Sequence, residues 1–372
     1  MRALWTAGSL MQSLKIAAYR AGLNALYWSG ASRLFAPMAR GSGAILMFHQ
    51  VRPALRSAFQ PNAHLEVTPD FLGKVVREIQ AAGIDIVDLD EATRRLAEPR
   101  PARRFVVLTF DDGYRNNYTE AYPVLKALGV PFTIYVATGF VDRTDVPWWD
   151  AIVALIAETP RFRIRIGSRE FDLPTETLRE KRDACRLVAS ELCQVGEDEQ
   201  RQAIDRAARE YGLDTRLMVD REMLDWDEVR TLASDPLVTI GAHTVGHYAI
   251  AKLDSARARR EMAESRDRIE AMTGMRPRHF AYPYGSPSTA AEREFYLAAD
   301  LGFTTAVTTR RGVVDADSRL TALPRISING HFQSWRYVDT LLSGVPLSLE
   351  RRLRSWLRRP PSALVPEASA ST

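Results

Sequence analysis

From residue 43 onward the chain alternates short, nearly unbroken apolar runs with amphipathic stretches of helical period. Strands are predicted at 44–49, 85–89, 104–110, 131–137, 237–243, 279–283, 304–309 and 324–328. Helices are predicted between them, at 70–82, 118–128, 227–234, 255–273 and 288–301. Strands that lack inside–outside alternation are buried on both faces, so this order describes a parallel sheet covered by helices. Seven or eight such units fit an α/β fold, a distorted or incomplete (β/α) barrel of TIM-like type. An open doubly wound sheet is the alternative, but no glycine-rich phosphate loop follows an early strand.

Residues 142–225 break the rhythm. They hold "VPWWDAIVALIAE", a hairpin pattern "FRIRIGSREFDL", and a long charged helical stretch to about Tyr211. We read them as an inserted, mostly helical subdomain that splits the barrel into 43–141 and 226–330. Residues 1–42 read as a basic amphipathic N-terminal helical segment, and 331–372 as a C-terminal helix with a small-residue, Pro-rich tail expected to be disordered.

Composition changes this picture only at the ends. With 372 residues, 46% hydrophobic and 26% charged, and a net charge of +4, the chain is ordinary for a soluble globular protein, and no nucleic-acid partner is expected. Residues 1–40 nevertheless carry Arg2, Lys15, Arg20, Arg33 and Arg40 without a single carboxylate, and Leu4, Met11, Leu14 and Ala18 share a helical face. Near the other end "RRLRSWLRRPP" sets arginines around Leu353, Trp356 and Leu357. Such helices suit an anionic membrane surface, or they pack on the domain with a solvated basic face. No apolar run reaches the roughly 18–20 residues of a spanning helix, and the N-terminus lacks a secretory-signal pattern. The expectation is a cytoplasmic enzyme, peripheral to the inner membrane. Cys185 and Cys193 lie two helical turns apart, too far to bridge, and are expected to be reduced.

Three strand ends carry chemistry. In "LTFDDGYRNNY", Asp111 and Asp112 follow an apolar strand; adjacent residues point to opposite sides, so one carboxylate can bind a metal while the other stays free. In "IGAHTVGH", His243 and His247 are four apart, and on one helical turn they can meet a single cation. A carboxylate with two imidazoles suits Zn²⁺ or another divalent transition ion. In "HFAYPYG", Pro283 stiffens and Gly285 turns a loop that can aim the Tyr284 N–H at a substrate oxygen. A fourth run, "AILMFHQVRP", ends at His49, which by itself reads first as a strand-end histidine satisfied by backbone groups.

The three strand ends, in this order, resemble the polysaccharide deacetylase family (the NodB homology domain, carbohydrate esterase family 4-like) over roughly residues 43–141 and 226–330. "TFDDG" and "HTVGH" match its first two motifs. The resemblance implies Asp111 as general base, and Asp112, His243 and His247 as ligands of a divalent metal, Zn or else Co, Ni or Fe. It implies Pro283 and Tyr284 at the substrate oxygen, and "DWDEV" places Trp226 near the groove. Two departures stand out. Ala281 occupies the position of the family's third-motif arginine, and Arg325 in "LPRISI" is a candidate to replace it by pairing with Asp111. No late "LxH" motif supplies the family's acid; "MFHQV" looks like a circularly permuted variant that brings His49 to the front as the acid.

The implied reaction is hydrolysis of N-acetyl groups on a polysaccharide or oligosaccharide, with an N-acetylated glycan as partner. A polysaccharide O-acetyl esterase is the alternative within the enzyme class, and a non-catalytic glycan-binding or scaffold protein is the alternative outside it. Trp148 and Trp149 read either as a sugar platform or as packing.

Overall fold

A computed structural model describes residues 2–54, 57–98 and 103–357, with side chains from residue 14 to residue 353. Eight strands form the main sheet: β1 Gly43–Phe48, β2 Asp85–Ile86, β3 Phe105–Phe110, β4 Phe132–Val136, and, beyond the hairpin β5 Arg161–Ile166 and β6 Arg169–Pro174, β7 Val238–Ala242, β8 His279–Ala281, β9 Thr305–Arg311 and β10 Leu323–Ser327. Seven of them close a parallel ring in the order β1–β3–β4–β7–β8–β9–β10 and back to β1. The short β2 pairs only with the first residues of β3. The N-terminal strand therefore lies between the third and the last, with Phe48 level with Phe110 and Leu46 level with Ile326.

Strand period two sorts the side chains. Leu46, Phe48, Val106, Leu108, Phe110 and Ile134 face outward into the layer shared with the helices, the largest core of the molecule. Ile45, Phe105, Val107, Tyr135, Val307 and Leu323 face inward and fill the barrel. Burial on both faces is why the strands read as continuous apolar runs. The helices begin where the caps put them. Thr68 caps Pro69–Ala81, and Asp225 with Glu228 forms a capping box at Trp226–Ala233.

The insertion folds on a core of its own. β5 buries Phe162, Ile164 and Ile166 on one face, against Ile152, Leu155 and Ile156 of Trp148–Ala157 and Val188 and Leu192 of Leu178–Leu192. The long charged stretch is two helices, not one: Leu178–Leu192 ends at Cys193, and Glu197–Tyr211 follows. Cys185 and Cys193 are both free thiols.

The N-terminal segment is the helix Arg2–Trp28 followed by Ala31–Ala39. Trp28, Leu34, Phe35 and Met38 are exposed there, near Arg33 and Arg40. The membrane expectation rests on other residues, Leu4, Met11, Leu14 and Ala18 and the C-terminal "RRLRSWLRRPP", of which Leu14 and Leu353 are exposed. The side chains of Leu4, Met11, Trp356 and Leu357, and the tail 358–372, lie outside the described residues. No described helix is long and apolar enough to cross a membrane.

Candidate active site

Asp111 continues the inward face of β3 beyond Val107 and Thr109, so its carboxylate enters the barrel at the C-terminal end of the strands, where (β/α) barrels carry chemistry. Its N–H donates to the Phe48 carbonyl, which fixes it beside β1. Asp112 is left-handed, with φ of 76°, and this turns its side chain toward β7 instead of away from the barrel. Four of the five described non-glycine residues with positive φ are Asp112, Thr244, His247 and Tyr284, all at these strand ends. Backbone strain of about 1–3 kcal/mol per residue concentrates where a site demands unusual side-chain directions.

Asp112, His243 and His247 converge. Their ligand atoms lie within 4.8 Å of one another, all three residues are buried, and Asp112 Oδ1 is 3.3 Å from His243 Nε2 and 3.2 Å from His247 Nε2. His243 Nδ1 is 2.7 Å from the Ala281 carbonyl, which can only accept. That contact puts the ring proton on Nδ1 and leaves the Nε2 lone pair facing the Asp112 carboxylate. Two acceptors held face to face in a buried site repel unless a cation or a proton lies between them. The donor set, its spacing and this tautomer therefore fit one small divalent cation. Burial pushes the Asp112 carboxyl up, but the two imidazoles outweigh it and hold the group well below the usual carboxylate range. Burial pulls His247 down, which favours its neutral, ligand-competent form.

The histidine pair is not on a helical turn. Residues 243–249 form a loop after β7, with Thr244 and His247 left-handed. The four-residue spacing works because Glu261 accepts the Val245 and Gly246 N–H groups at 3.0 Å each, bending the loop back on itself. Arg201, from the insertion helix Glu197–Tyr211, donates to the Gly246 carbonyl and stacks 3.7 Å from the Tyr248 ring centroid. The insertion thus clamps the loop that carries both histidines.

Asp111 is held by Arg325. The guanidinium donates to both carboxylate oxygens, at 2.7 and 2.6 Å, to Thr109 Oγ1 at 3.1 Å and to the Thr308 carbonyl at 2.9 Å. Both partners are buried, so this is a desolvated bidentate pair with its donors satisfied. Burial pushes Asp111 up, but Arg325, helped by His243 and His49, lowers its carboxyl below the ordinary value, so it is ionised at neutral pH. The arginine that holds Asp111 therefore comes from β10, and the third-motif position is the buried Ala281.

His49 directly follows β1, level with Asp111, half-buried, and near enough to add to the positive field on both aspartates. Its peptide is pinned by "RNN": Asn117 donates to the His49 carbonyl at 2.8 Å, and Asn116 accepts from Val51 N–H at 2.9 Å.

Pro283, Tyr284 and Gly285 make a tight turn in which Gly285 N–H donates to the Pro283 carbonyl at 2.7 Å, with Tyr284 at φ of 60° in the middle. A Cβ on Gly285 would collide with the Thr309 nitrogen, so glycine is required. The Tyr284 N–H finds no acceptor among the described residues, and the ring packs 4.8 Å from His247. Trp226 is not among the rings around the histidines: its indole donates to Asp142 at 2.7 Å, and Arg268 lies over its face.

Trp149 takes that place, 4.8 Å from His247, with its N–H on the Tyr114 hydroxyl, which in turn donates to Asp150. Trp148 donates to Tyr284 Oη at 2.7 Å. Tyr114, Asp150 and Arg201 had no distinguishing pattern in the sequence; only the "WWD" opening of the insertion pointed this way.

The family model for polysaccharide deacetylases matches residues 98–306, more than half of the chain. The chain belongs to the polysaccharide deacetylase family. Its members are hydrolases that remove acetyl groups from polysaccharides. The Bacillus subtilis protein YxkH, whose name places it in the same family, is 49% identical over 39 residues, 10% of this chain and 14% of its own length. The Streptococcus pyogenes deacetylase PplD is similar in fold, with 21% identity, TM-score 0.52, and coverage of 77% of this chain and 92% of that one. IcaB from Ammonifex degensii is 18% identical, TM-score 0.52, covering 82% and 97%. A de-N-acetylase from Aggregatibacter actinomycetemcomitans is 17% identical, TM-score 0.51, covering 80% and 99%.

Proposed function

We propose that this family member is a metal-dependent N-deacetylase of glycans, with Asp112, His243 and His247 as ligands, Asp111 as base and His49 as acid. The observation that carries it is the division of labour between adjacent aspartates: one faces the Nε2 atoms of two imidazoles, and the other is buried, ionised and aimed into the same space. A divalent cation at the triad, Zn²⁺ by its donor set, supplies a Lewis acid that polarises the acetyl carbonyl and acidifies water.

The protein groups do the rest. Asp111, kept anionic by Arg325, accepts the proton of the attacking water. The Tyr284 N–H is free to donate to the carbonyl oxygen as charge builds on it, and one such donor is typically worth about 3–4 kcal/mol. Trp149 and Tyr284 exclude water from the histidine side. His49, at the end of β1 beside the strand that carries both aspartates, protonates the departing amine. An amine leaves far less readily unprotonated than a sugar alkoxide, so a positioned acid favours the amide over the ester as substrate. A scaffold protein has no use for a strained, ionised aspartate beside a cation site.

The test compares acetate release from N-acetylated and O-acetylated oligosaccharides by the native protein and His49→Ala. A general acid is worth about 10²–10⁴-fold. The expected result is a loss of that order on the amide, with a much smaller loss on the ester. Equal rates for His49→Ala and native protein on the amide would remove His49 from the mechanism, and turnover of the ester alone would establish the esterase.

A further inference from the structure

Beside the site lies a cavity of about 780 Å³, within the size range of small-molecule pockets. It is bounded by the N-terminal helix, the loop 60–64, the insertion helices and residues 329–332. Two contacts tie it to the reacting groups. Trp149, which forms part of its wall, is the ring packed 4.8 Å from His247. His64, also in its lining, is held below the ordinary imidazole range chiefly by burial, with His49 near enough to add to the effect. The cavity therefore opens beside both the metal triad and the acid.

Its lining has one sign of charge. Lys15, Arg182, Arg186 and Arg311 all contribute, and no described lining residue is Asp or Glu. Arg186 is 3.2 Å from Asp183, and Arg311 is 3.5 Å from Glu350, so those two are partly neutralised from outside. Among the described residues Lys15 has no carboxylate in bridging range, and Arg182 donates only to the Ala58 carbonyl. Trp149, Ile152, Val153 and Phe332 supply an apolar wall of the kind that takes a sugar face. Concave sites lined by one sign of charge focus the field and concentrate the opposite charge. A neutral N-acetylglucosamine oligomer gives four cations nothing to do.

We propose that this cavity is a substrate subsite for an anionic group on the glycan, placed next to the unit that is deacetylated. The anion is either a carboxylate on a neighbouring uronic acid or a phosphate ester at the end of the chain. The inference rests on the deacetylase reading only for which group reacts; the anion preference is a property of the cavity itself.

The experiment is therefore a binding one, on chelated protein so that nothing turns over. Calorimetry compares neutral chitotetraose with heparosan tetrasaccharide, which carries carboxylates, and with chitobiosyl diphosphate. Two charge-assisted contacts in a half-enclosed site are expected to favour one of the anionic ligands by about tenfold or more. That preference is expected to fall to about threefold or less in the Lys15→Gln, Arg182→Gln double variant, with chitotetraose binding unchanged, and to shrink with added salt. Carboxylate and phosphate are told apart by which ligand gains. Lys15 is exposed on its helix, so Lys15→Gln alone serves if the double variant misfolds, with a proportionately smaller loss. Equal affinity for all three ligands, or a preference untouched by the variants, overturns the proposal. Failure of acetate release with the anion preference intact would fall on the catalytic reading, not on the subsite.

Discussion

Replacing Arg325 with methionine removes the charge and keeps most of the volume. In the native chain the guanidinium and the Asp111 carboxylate are buried together and joined by two hydrogen bonds of 2.7 and 2.6 Å. Removing one partner of such a pair strands the other in a low-dielectric site and costs about 3–5 kcal/mol. The sign with pH follows from Asp111. Its folded-state carboxyl is depressed below 3.8, so it contributes stability above that value and loses it as pH falls through the depressed one. Without Arg325 the burial that already pushes this carboxyl up is far less opposed, and the folded pKa rises. The penalty in Arg325→Met is then largest near neutral pH and shrinks toward pH 4, where Asp111 takes up a proton in the folded state. Urea denaturation of the chelated proteins, at pH 7.5 and at pH 4.5, measures both values. The same substitution made on Asp111→Asn is the control: there the arginine is itself the stranded charge, and its removal should cost nothing or stabilise. An equal cost in both backgrounds, or a cost independent of pH, would refute the coupling.

Two further outcomes follow from the geometry. Gly285→Ala must adopt φ of 52° and push against the Thr309 nitrogen; a left-handed alanine alone costs about 1–2 kcal/mol, so a loss of more than that in urea denaturation is expected, with a fall in kcat as the Tyr284 N–H is displaced. Burial raises Asp150 to about 6 against hydrogen bonds from Tyr114 and Asn62. Because its folded pKa lies above the unfolded 3.8, native stability should fall as pH rises from 3.8 to about 6 and stay level beyond, by at most about 3 kcal/mol because the residue keeps part of its surface in solvent. Asp150→Asn should flatten that window, and an unchanged pH profile would count against it.

Much of the fold was legible because the signals are local. Each strand buried on both faces announces itself as an apolar run, and the eight predicted segments agree with the eight strands of the main sheet to within a few residues. Asp111, Asp112, His243 and His247 were legible because they sit next to those runs. Their geometry was less so. The spacing of His243 and His247 suggests a helix, but the loop is shaped by Glu261 and Arg201, 14 and 42 residues from the nearer histidine. The bidentate reach of Arg325 to Asp111 spans 214 residues and depends on ring closure by β10 against β1. The Trp149–Tyr114–Asp150 chain and the cationic cavity arise where the insertion meets the barrel, and no pattern within either segment encodes that meeting.

The most direct measurement is acetate released from chitotetraose and heparosan tetrasaccharide by chelated protein titrated with Zn²⁺, alongside His243→Ala and His247→Ala. The account predicts no release without metal, release that saturates at one Zn²⁺ per chain, and loss of both binding and release in either variant. Release that is indifferent to chelation, or stoichiometric Zn²⁺ binding that survives in either variant, would contradict it.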